Sequence, residues 1–258
     1  MLLSCSDKSK TTNSKTEERI PTPEEVLRKY VSNPNYDDRI CNSDIKKAKH
    51  DLTKYKNIFV TTSCFGCNEK PYENESVNYA ISKGFKVINH DYSCVIINGQ
   101  SQGCYKVFID LEMERIHGKN YRKNIEQEGE KLMISDINSG KKIISIYDLE
   151  EKEKPTFINE TELISQGYIP TIKTNLPLKA VGKNSLFVDI NFTIEKNGKV
   201  SNLHSVNWVI DEKENMKYQT QLEQIAKETI ISKYNNWRPG NYKGNIARAK
   251  NNFRVNFE

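Results

Sequence analysis

The run Leu186-Phe187-Val188-Asp189-Ile190-Asn191-Phe192-Thr193-Ile194, followed by Glu195-Lys196-Asn197-Gly198-Lys199-Val200, decides the fold of the last third of this chain. Leu186, Val188, Ile190, Phe192 and Ile194 alternate with polar residues, the period of two that sets one apolar row against a core. Asn197-Gly198 is the favoured pair for a two-residue turn with positive φ at both positions. A second strand is therefore expected from Val200 towards Ile210, forming a hairpin with the first.

Downstream, Tyr218, Leu222, Ile225, Ala226, Thr229 and Ile230 fall at helical spacing with polar residues between them, which predicts one amphipathic helix. Trp237-Arg238-Pro239-Gly240 then stops the helix and turns the chain. A last strand carries Ala247, Ala249, Phe253, Val255 and Phe257 on one face, with Arg248, Lys250, Asn252, Arg254 and Asn256 on the other. The expected order is strand, strand, helix, strand.

That order resembles the C-terminal domain of the TonB energy transducers. The resemblance rests on Val188 to Ile194, Asn197-Gly198-Lys199-Val200, the helix, Trp237-Arg238-Pro239-Gly240 with Lys243-Gly244, and Phe253-Arg254-Val255-Asn256-Phe257. It implies a protein-binding module that takes a partner segment by strand addition, as TonB domains take the N-terminal box of an outer-membrane receptor. It departs from the family in lacking a membrane helix and a proline-rich spacer ahead of the domain. The last strand is the expected sheet edge, because the helix crosses before it arrives. Ala247, Arg248, Ala249, Lys250, Asn251, Asn252, Phe253 and Arg254 are the candidate partner-binding positions, and Asn197, Gly198, Trp237, Pro239 and Gly240 are the family motif.

The chain as a whole reads as α+β: a TonB-like domain over 161–258, after a mixed α/β domain over 21–148 and a charged linker over 149–160. Of its 258 residues 28% are charged and 36% apolar, so its cores are lean. The net charge of +5 comes from dispersed lysines without a basic helix or a stacking motif, which argues against nucleic acid as a partner.

Met1-Leu2-Leu3-Ser4-Cys5 resembles the end of a bacterial lipoprotein signal, with Cys5 as the lipidation site. Residues 6–18 are polar and charged and suit a flexible tether between a membrane and the first folded element. The expected setting is the periplasm, with a lipid anchor and an envelope protein as partner.

In the 21–148 stretch, Thr22-Pro23-Glu24-Glu25 forms a capping box. A second helix is expected over 43–52. Strands over 57–62 and 85–88 flank a helix over 76–82, a β-α-β pattern. Further strands are expected over 93–98 and 104–111, a helix over 121–131, and a hairpin from 132–137 and 142–147. Cys64-Phe65-Gly66-Cys67 has redox spacing, but no helix with an apolar face follows it. With His90 and Cys94 it has the spacing of a tetrahedral zinc site, and Cys104 or His117 could substitute. Structural disulfides are the other fate of these cysteines, with Cys94 facing Cys104 across a hairpin loop and Cys41 left free. No catalytic constellation and no required cofactor emerge. The expected activity is binding; a thiol-redox or zinc protein centred on Cys64 and Cys67 is the alternative, and a purely structural lipoprotein is a second.

Overall fold

The computed structural model describes residues 20–63, 70–91, 97–158, 171–179, 186–209 and 213–258. The class is α+β. Two compact units divide the chain, Met1–Phe65 with Ile88–Gly118 and Gly66–Val87 with Lys119–Glu258. The charged stretch 149–160 does not separate them. Leu149 and Phe157 within it are buried in cores of the second unit.

In the first unit, α1 (Pro23–Tyr30) starts on the expected capping box, Thr22 and Glu25 each bonding the other's backbone. Helix α2 (Arg39–Lys54) is capped by Asp38, whose carboxylate accepts the Cys41 N–H. Helix α4 (Cys104–His117) packs on α1, on α2 and on β1 (Ile58–Ser63). A disulfide joins Cys41 of α2 to Cys104 of α4. It sits in a core with Val31, Ile45 and Val107. The Arg28 guanidinium bridges from α1 to both oxygens of Glu114 on α4.

These findings correct two expectations. Residues 104–111 are helical: the apolar run continues through Met113, and Cys104, Tyr105, Val107, Ile109 and Met113 are buried around most of the helix's circumference, as suits an element packed on α1, α2 and β1. Cys41 is bonded to Cys104, so it is not the free cysteine, and Cys104 is committed away from Cys94.

Strand β1 pairs with β2 (Lys86–Asp91). The helix between them in sequence, α3 (Glu73–Ser82), packs in the second unit against α5 (Tyr121–Asn138). The crossing is close: a Cβ on Gly129 of α5 would lie 2.1 Å from the Ser76 Oγ and 2.6 Å from its backbone. Helix α5 runs through 132–137, so the expected hairpin there reduces to one short strand, β3 (Ile143–Ser145).

The second unit is built on β5 (Leu186–Ile194), β6 (Val200–Val209) and β9 (Asn245–Phe257), with strand order β3-β9-β5-β6. Short strands β4 (Thr156–Phe157) and β7 (Trp237–Arg238) pair with each other, and β8 (Gly240–Tyr242) pairs with β9. The expected helix is α6 (Gln219–Lys233); its Leu222, Ala226 and Ile230 cover the apolar row of β5 with Phe253, Val255 and Phe257 of β9. Ala247 and Ala249 lie in a second cluster with Met133 and Ile137 of α5. The strand, strand, helix, strand order predicted from the sequence is present, with β3, β4, β7 and β8 added to it.

The hairpin turn differs from the expected two-residue form. Glu195 N–H donates to Lys199 O and Gly198 N–H to Glu195 O. Only Gly198 in the loop has positive φ, at 77°. This is a three-residue loop closed by a bulge. The tight two-residue turn lies instead at Lys243-Gly244, with φ of 48° and 88°, between β8 and β9.

Candidate functional site

The polar face of the sheet is a ladder of cross-strand pairs. Asp189, Asn191 and Thr193 stand on β5 and Glu195 just beyond its end; Arg254, Asn252, Lys250 and Arg248 stand on β9. Arg254 grips Asp189 with Nε to Oδ1 at 2.9 Å and Nη2 to Oδ2 at 3.0 Å. Its guanidinium also stacks 3.6 Å over the Phe187 ring. Asn252 Nδ2 donates to Asn191 Oδ1 at 2.9 Å. Arg248 holds Glu195 through Nε to Oε2 at 2.7 Å and Nη2 to Oε1 at 2.8 Å, and its third nitrogen donates to Gly140 O. The Arg248 hydrogen bonds hold the Glu195 carboxyl below its usual range; partial burial opposes this, and a bond from Ser201 adds to it.

At Ala249 and Lys250 the last strand lies between β3 and β5, which corrects the expected edge there, whereas Asn251 to Arg254 have β5 as their only strand partner among the described residues. Over 249–257 one side of β9 is paired with β5. Arg248, Ala249 and Lys250 also pair with β3, and Asn245 to Ala247 pair with β8. Near the end of the strand, Ile172 N–H donates to Asn256 O and Glu258 N–H to Ile172 O. Even-numbered residues of β9 thus turn their backbone groups away from β5, and odd-numbered ones towards it. Asn251 N–H faces β5. The Asn252 N–H, on the outer side, is met by the Asn251 side chain. The charges of Arg248 and Arg254 serve partners inside the fold, Glu195 and Asp189, and Ala247, Ala249 and Phe253 are core.

The motif residues converge into one corner of the core. Trp237 N–H donates to Gly198 O at 2.9 Å, and a Cβ on Gly198 would lie 2.1 Å from Trp237 O. Asn197 Oδ1 accepts the Lys199 N–H. The Trp237 indole packs on Phe157, Phe192 and Phe253 and donates Nε1–H to Tyr234 O. Pro239 separates β7 from β8, and Gly240 lets Leu149 approach, where a Cβ would come to 3.1 Å of Leu149 Cδ1. Gly198, Trp237 and Gly240 are buried, Pro239 is half-buried and Asn197 is exposed on the turn.

Cys5, the expected lipidation site, and the metal or disulfide candidates Cys64, Cys67 and Cys94 lie outside the described residues. His90 Nε2 lies 3.4 Å from Asp44 Oδ2, its ring 4.8 Å from that of Tyr105. His117 bonds Asn57. Among the described residues no group of three His, Cys, Asp or Glu side chains is placed to hold a metal ion.

The outer strand of the sheet is β6. Among the described residues β5 is its only strand partner. Glu195 bonds across to Lys199, so odd-numbered residues of β5 face β6; the pairing shifts register between Asn191 and Thr193 and again between Asp189 and Ile190, and between these shifts Ser205 stands opposite Ile190, which places its N–H on the outer side. At the near end of that edge, Val200 N–H is already met by Asn235 Oδ1 at 2.7 Å. Asn202, His204 and Val206 are exposed along it. Reading the last strand as the edge overlooked β6. Its signal was present in composition: Val200 to Val209 contains no Lys, Arg, Asp, Glu or Pro, the residues that protect edges from pairing.

Comparison with known families, with curated proteins and with solved structures finds no match. The site is read from its own geometry.

Proposed function

We propose that this protein is a non-catalytic binding module of the bacterial envelope, held at a membrane through a lipid on Cys5, that takes an extended partner segment as an added strand along β6. The observation that carries this reading is the uncharged, proline-free outer strand from Val200 to Val209, in a chain where 28% of residues are charged. An outer strand without such residues is an open template for main-chain pairing. The order of β5, β6, α6 and β9 and the Gly198–Trp237 corner support the resemblance to TonB domains, and with it an outer-membrane receptor as one class of partner.

A photo-crosslinking residue placed at Asn202, His204 or Val206 of the full chain in cells tests this. Adducts to one envelope protein at these positions, lost when Ser205 is replaced by proline, are the expected result. Adducts at exposed positions on α6 such as Ile231, with none on β6, would refute it.

A further inference from the structure

We propose that the outward face of α2 docks the first unit on an anionic lipid surface. Arg39, Lys46, Lys47, Lys49 and Lys54, with Lys56 just beyond the helix, are all exposed. At roughly 100° per residue, the five on the helix fall within an arc of about 160° opposite the buried Cys41, Ile45 and Ala48. None of the six is paired with a carboxylate among the described residues, whereas Arg28, Lys106 and Arg115 of the same unit are.

The face is free of acid for a structural reason. Both carboxylates of α2 are drawn inward. Asp44 Oδ2 accepts the Tyr105 N–H at 3.2 Å beside His90, and Asp51 Oδ2 accepts the Tyr105 hydroxyl at 2.8 Å. The dispersed lysines of the sequence are thus sorted by the fold into a basic helix, which the sequence reading did not anticipate.

Its chemistry suits a membrane better than a nucleic acid. Five of the six cations are lysines, compact point charges that respond to a diffuse field, and only Arg39 offers the planar fork suited to phosphate or guanine. Tyrosines stand at both ends of the helix, Tyr36 being 91% exposed and Tyr55 36% exposed. Such rings favour the headgroup region, apolar body inward and hydroxyl outward. A lysine face of this kind is attracted to anionic lipid by about fivefold in binding for each charge near the surface.

The test uses the full chain carrying Cys5→Ser, so that no acyl group contributes. Sedimentation with vesicles of phosphatidylcholine and about one third phosphatidylglycerol is compared with pure phosphatidylcholine vesicles, at low and high salt. Expected are binding to the anionic vesicles alone, its loss at high salt, and roughly a hundredfold weakening in K46Q/K49Q/K54Q. The variant K119Q/K141Q/K233Q, of equal charge change and on the other unit, is expected to bind like the parent. Circular dichroism checks that each variant is folded. Equal binding to neutral vesicles or equal loss in the second variant overturns the proposal. So does displacement from vesicles by single-stranded poly(dT), which would assign the face to nucleic acid.

Discussion

The backbone N–H of Trp237 donates to the carbonyl oxygen of Gly198 at 2.9 Å, tying the β5–β6 turn to the strand that follows α6. Gly198 meets two demands there. Its φ of 77° lies in the left-handed region, and the Trp237 carbonyl oxygen occupies the place of a side chain. Alanine at 198 is expected to cost about 3 kcal/mol, from left-handed strain and a backbone clash that no rotamer relieves. Urea unfolding followed by tryptophan fluorescence measures it. Gly244, with φ of 88° and open space around it, is the control, and alanine there should cost only the left-handed strain of about 1 kcal/mol.

The Cys41–Cys104 disulfide closes a separation of 63 residues. Chain entropy for a loop of that size gives a stabilisation of about 4 kcal/mol. Cys41→Ser with Cys104→Ser is expected to lower the unfolding midpoint of the first unit selectively. Hydrogen exchange resolved by segment should show lost protection in α2 and α4 and unchanged protection in β5 and β9. Uniform loss across both units would contradict this.

Glu195 contributes to the pH dependence of the second unit. Its carboxyl is held below the usual range by Arg248. A depressed folded-state value contributes stability above the unfolded carboxylate range, and that stability is lost as the pH falls through the folded value. Glu195→Gln is therefore expected to be less stable than the parent at neutral pH, with the gap closing in acid. Unfolding midpoints measured from neutral pH to about pH 3 test the sign. A gap that widens in acid would mean that the carboxylate is not stabilised by Arg248.

What the sequence disclosed was local. The alternation in Leu186 to Ile194, the spacing of Leu222, Ala226 and Ile230, and the Thr22 box each lie within one element, so pattern alone found them. The misreadings concern partners distant in sequence. Whether Arg248 lies on an edge depends on Ile143, and whether Cys41 is free depends on Cys104; no local period encodes either relation. The run from Cys104 to Leu111 satisfied a strand reading through its aromatic and branched residues, and only burial against Cys41 and Ile45 decides for a helix. The open edge was compositional, written as the absence of charge from Val200 to Val209, and beyond Val200 it lay outside the residues on which the resemblance drew.

Proline substitution distinguishes the two sides of the sheet, because it removes one backbone N–H and leaves the side-chain chemistry of the partners intact. Asn251 stands opposite Phe192 with its N–H turned to β5, so Asn251→Pro is expected to break the central ladder at a cost of about 3 kcal/mol. Ser205 stands opposite Ile190 with its N–H turned outward, and proline is tolerated where an edge N–H faces solvent. Ser205→Pro is expected to shift stability by about 1 kcal/mol or less. The two variants, compared by thermal unfolding, read the backbone parity directly. If Ser205→Pro is the more damaging of the two, the edge assignment of β6 is wrong and the strand-addition reading goes with it. If Ser205→Pro is stable and loses its crosslinked partner, the loss is one of binding and not of folding.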